Sequence, residues 1–120
     1  MKFVGFLLLL SVAVNGFAQT PPDWKITAEP QKKIRANYDT PMKISVKDGK
    51  GKPVTGAAVE LAVTMIDMDH GEHTWPAKMT APGVYEGTAN FFMVGAWNLK
   101  VRVKKGRLSK VMTTRVDVAE

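Results

Sequence analysis

Apolar and polar positions alternate with period two along much of the chain. Val59, Leu61, Val63 and Met65 are interleaved with Ala58, Glu60, Ala62 and Thr64, and Trp97, Leu99, Val101 and Val103 with Asn98, Lys100, Arg102 and Lys104. Side chains of an extended segment project alternately to opposite sides, so each run predicts a strand with one buried and one wet face. Weaker versions of the pattern predict further strands over Trp24 to Glu29, Met42 to Lys47, Val84 to Phe92 and Leu108 to Val118. Turn-forming residues separate them at Asp48-Gly49-Lys50-Gly51-Lys52-Pro53, Pro82-Gly83 and Lys105-Gly106-Arg107. No stretch after the first 18 residues shows a helical stripe. Short strands punctuated by Gly and Pro predict an all-β fold, an immunoglobulin-like antiparallel β-sandwich of about seven strands.

The first 18 residues follow a different rule. Met1-Lys2 precedes an apolar run from Phe3 to Val14, and Gly16-Phe17-Ala18 closes it, the order of a secretory signal peptide cut before Gln19. The run is short for a roughly 20-residue membrane span. We therefore expect a signal peptide over 1–18, a single sandwich domain over 19–120, a periplasmic or secreted location and no stable membrane span after cleavage.

The 120 residues are 45% hydrophobic and 23% charged, with a formal net charge of +6 and no cysteine. Export removes nucleic acid as the natural reading of that charge, and the basic residues are not interleaved with the aromatics of RNA-binding sheets. The surplus is densest from Lys100 to Arg115 and reads first as a solvated sheet face, with an anionic membrane surface or an acidic partner as the other possibility. The missing cysteine excludes disulfides, thiol nucleophiles, thiolate zinc sites and iron–sulfur clusters. Soft-metal chemistry is left to thioether and imidazole.

Those groups are concentrated in one place. Met65 to Met79 contains both histidines and three of the seven methionines, and Gly71 and Pro76 make it a long loop between strands on this reading. Met65, Met68, His70 and His73 fall within nine residues. Thioether suits Cu(I), imidazole suits both copper oxidation states, and a thiol-free site suits an oxidising compartment. Met79 and Met93 are candidates to complete the shell, and Trp75 to shield it. Met65 also continues an apolar face and Met93 follows Phe91-Phe92, so both could serve as core instead. Met42 and Met112 read as structural. His70 and His73 with Asp67 or Asp69 form an alternative zinc or nickel set.

Other chemistries find little support. Asp67-x-Asp69 lacks the glycine and glutamate spacing of an EF-hand, and His70 and His73 lack the i, i+4 spacing of helical zinc proteases. Ser45 and Ser109 lie in strand segments outside any nucleophile motif. We expect a binding protein and not an enzyme.

The elements Gly51-Lys52-Pro53-Val54-Thr55-Gly56-Ala57-Ala58, Met65-x-x-Met68-x-His70, Pro82-Gly83-Val84-Tyr85 and Phe92-Met93-Val94-Gly95-Ala96-Trp97 give the chain a resemblance to the YtkA-like domain, which is close to the FixH family. The likeness spans roughly residues 40–105. It implies an exported immunoglobulin-like domain in copper handling, such as oxidase assembly, resistance or efflux, with Met65, Met68, His70 and Met93 as ligands. His73 and Met79 are added from composition alone. The expectation is therefore a copper carrier or chaperone, Cu(I) favoured and Cu(II) possible, exchanging the ion with an envelope protein. The alternative is a structural or adhesive envelope module with no metal.

Overall fold

The computed structural model describes residues 21–120, and the expected signal peptide over 1–18 lies outside them. Seven antiparallel strands follow in order: β1 (Lys25–Pro30), β2 (Asp39–Lys47), β3 (Ala58–Met65), β4 (His73–Ala81), β5 (Val84–Asn90), β6 (Gly95–Lys105) and β7 (Leu108–Val118). Their order across the structure is β1-β2-β5-β4-β3-β6-β7. The strand β4 belongs to both layers: His73 to Ala77 pair with β3, and Lys78 to Ala81 pair with β5. The chain thus forms the expected β-sandwich, with β1-β2-β5 facing β3-β6-β7 and β4 passing between them. No described residue is helical, so no helix there could cross a membrane.

The core follows directly from the alternation. Ile44, Val46, Leu61, Val63, Trp97, Leu99, Val101 and Val103 are buried, and their strand neighbours Lys43, Lys47, Lys100 and Arg102 are not. Tyr85 adds a buried polar tie: its hydroxyl donates to the Val54 carbonyl at 2.8 Å and accepts from the Ala57 amide at 3.1 Å. One aromatic residue therefore fixes the connection between β2 and β3. Met42 is buried and Met112 packs partly against the core, as the sequence suggests.

One expectation fails. The long loop anticipated over Met65 to Met79 covers only residues 66–72, with Met65 ending β3 and residues 73–79 lying in β4. Gly71 and Pro76 argue against a helix, but Pro76 is accommodated within a strand even though proline cannot donate to a ladder. It lies opposite Glu60 on the exposed side, just before β4 changes partners. Gly87 of β5 leaves room for that crossing, because a Cβ there would sit 2.9 Å from the Pro76 carbonyl oxygen.

Candidate metal centre

Residues directly opposite in an antiparallel pair project to the same side. Met65 faces Trp97 and His73 faces Val63, so both follow the buried face of their sheet to its end. Beyond Met65 the chain is tied once more, with the Ile66 amide donating to the Ala96 carbonyl at 2.9 Å. It then turns back: the Asp69 carboxylate accepts the Gly71 amide at 3.1 Å, and Gly71 supplies the positive φ of 77° that the turn needs. Met68 and His70 lie on this exposed loop.

Residues 91–94, between β5 and β6, form the opposing wall. Phe91 is buried with its ring edge-on to Trp97 at 5.8 Å. The Trp97 indole N–H donates to the Met93 carbonyl at 3.0 Å, which fixes the path of Met93. Gly95 has φ 144°, and a Cβ there would approach the Met65 terminal methyl to 2.9 Å. The missing side chain leaves room for the Met65 terminal methyl against this wall.

Phe92 joins the two halves. His70, His73 and Trp97 all stand edge-on to its ring, at centroid distances of 5.8, 5.0 and 4.9 Å and interplanar angles of 80°, 79° and 80°. Two imidazoles from one segment thus converge on a single aromatic residue of the other. Edge-to-face packing orients a ring without consuming its nitrogen lone pairs.

Charge fixes the far side of the loop. Glu72 and His73 are adjacent and project oppositely, so His73 faces Phe92 and Glu72 reaches the outer face. There Arg102 donates to both Glu72 oxygens at 3.0 and 2.7 Å and to Glu60, its opposite on β3, at 3.0 Å. The hydrogen-bonded guanidinium holds the Glu72 carboxyl below its usual range, and the two carboxylates raise the Arg102 pKa. A forked, shared ion pair of this kind sets geometry more than it adds stability.

The structure brings Met65, His70, His73 and Met93 to one end of the sandwich, with Met68 on the connecting loop. Met79 is set apart. It lies six residues beyond His73 on an extended strand, about 20 Å away at ~3.3 Å per residue, with its side chain 48% exposed. Trp75 is opposite Leu61 and packs partly on the core, one inward-facing position further in than His73. Among the described residues no group of three His, Asp or Glu could hold a metal ion. An ion held at this end would take thioether as well as imidazole ligands, a donor set that favours soft Cu(I) over zinc or nickel. Phe92 and Arg102 escaped the sequence reading: Phe92 looked like the end of a strand, and Arg102 like one more residue on a wet face.

A family model described as YtkA-like matches residues 18–102. The chain belongs to the YtkA-like family. No curated protein matches it. Among solved structures, the Lin-41 filamin domain is 20% identical with a TM-score of 0.53, covering 83% of the YtkA-like chain and 98% of its own. The PmoD soluble domain from Methylocystis sp. ATCC 49242 (Rockwell) is 15% identical with a TM-score of 0.50, covering 85% and 95%. At such identities the likeness is one of fold. It places this YtkA-like chain among immunoglobulin-like sandwiches.

Proposed function

We propose that this protein is an exported copper carrier or chaperone that binds the ion at the Met/His end and passes it to an envelope partner. One observation supports the reading: His70 and His73 converge on Phe92 at the end of the sandwich where β3 ends in Met65 and where Met93 precedes β6, in a chain with no cysteine. Cu(I) is the favoured cargo because thioether and imidazole are its ligands. Met68 and Met93 are 53% and 37% exposed, so an incoming partner can reach the donors and take the ion by ligand exchange. Binding and transfer, without catalysis, is the activity.

Competition titration with a Cu(I) chelator tests the reading. The chain should bind Cu(I) stoichiometrically, and Met68→Ala with His70→Ala should weaken binding at least tenfold. Unchanged affinity in the double variant would overturn the site. An unchanged melting temperature with added copper would favour the structural module instead, since a ligand that prefers the native state must stabilise it.

A further inference from the structure

We propose that the end of the sandwich opposite the Met/His loop is a docking surface for anionic lipid headgroups. Sequence order scatters its residues and the fold collects them. Lys25 pairs with Lys47 where β1 begins and β2 ends, and Lys50 and Lys52 follow in the adjoining turn. The Lys110 ammonium donates to the Trp24 carbonyl at 2.7 Å, which brings the β6–β7 hairpin, with Lys104, Lys105 and Arg107, alongside. All but Lys110 are exposed.

These eight cations share the end with two carboxylates, Asp23 and Asp48. The surplus of six equals that of the whole chain, so nine cations and nine carboxylates elsewhere balance. Both local carboxylates are already counted in that surplus, and each is held within the turn region. Asp48 accepts the Lys50 and Lys52 amides at 2.9 Å each, and Asp23 lies against Gly49.

The occupant follows from what accompanies the charge. Leu108, opposite Lys105 at the hairpin tip, is 44% exposed amid Lys104, Lys105 and Arg107. A ring of cations around one projecting apolar side chain suits a lipid surface, where headgroups meet the charge and the apolar group enters the interface. A nucleic-acid surface would offer aromatics for stacking, yet Trp24 and Tyr85, at this end, are buried. The described chain also enters the fold here, at Trp24 and Lys25. Docked this way, the protein holds its Met/His end roughly 25 Å away, the length of β3. That end faces outward and stays open to a partner.

Vesicle sedimentation with the chain from Gln19 onwards, free of the apolar run at 3–14, tests the proposal, and it requires no metal. Vesicles of three parts phosphatidylcholine to one part phosphatidylglycerol should bind the protein at low salt and release it as salt rises, with phosphatidylcholine alone binding far less. The variant K104Q/K105Q/R107Q should lower partitioning at least tenfold, and Leu108→Ser severalfold. K32Q/K33Q/R35Q, which removes three cations near the Met/His end, should change it little. Equal binding to both vesicle types, or equal losses from the two triple variants, would overturn the proposal. Capture by soluble polyglutamate without vesicle binding would also overturn it, in favour of an acidic protein partner.

Discussion

The two ends of this sandwich are built from the same strands and hold opposite chemistry. At one end, β3 and β6 deliver Met65 and Trp97 to a loop whose histidines close on Phe92. At the other, the turns carry lysine and arginine, and the one deep polar tie is the Tyr85 hydroxyl. The Met/His end depends on side chains fixed by the core, because Trp97 is both fully buried and part of its aromatic wall. The basic end depends on number of charges and tolerates loss of any one. Soft donors need placement, whereas a field of exposed charges needs only density.

The sharpest way to break that contrast is at Trp97. Trp97→Ala should cost about 3–5 kcal/mol in denaturant unfolding, since a large fully buried ring is lost. The triple change at Lys104, Lys105 and Arg107 should stay within about 0.5 kcal/mol. A comparable loss from both would erase the distinction. Tyr85→Phe comes next, at about 1–2 kcal/mol, because the Ala57 amide and Val54 carbonyl lose their shared partner.

Phe92→Leu should disturb the fold less and the site more. The T-shaped contacts should displace the His70 and His73 imidazole proton resonances through the Phe92 ring current, and the variant should return both towards ordinary values. Retained displacements would mean that the histidines are oriented by something else. The smallest stability effect belongs to Arg102→Gln, under about 1 kcal/mol, yet amide exchange over residues 66–73 should accelerate as Glu72 is released. The same release is expected in acid. Glu72 titrates lower in the folded than in the unfolded chain, so its contribution is present above the unfolded value and is lost as pH falls through the folded one.

Alternation made most of the fold readable in the sequence. The expected limits of the last strand, Leu108 to Val118, match β7, and the two strongest runs lie within β3 and β6. The strand β4 hid because it serves two sheets: only Ala77 is buried along it, so no regular apolar face marks it. The candidate methionines and histidines were visible as types in a cluster, but two features that organise them were not. Arg102 and Glu72 are thirty residues apart, and Phe92 meets His70 across a separate connection. The basic end was obscured for the same reason, since its charges come from three stretches that only strand pairing unites.

X-ray absorption at the copper edge of the Cu(I)-loaded chain tests the central claim most directly. The account predicts a first shell containing both sulfur and nitrogen, with the nitrogen contribution reduced in His70→Ala. A shell of nitrogen and oxygen alone, or one unaltered by His70→Ala, would contradict it.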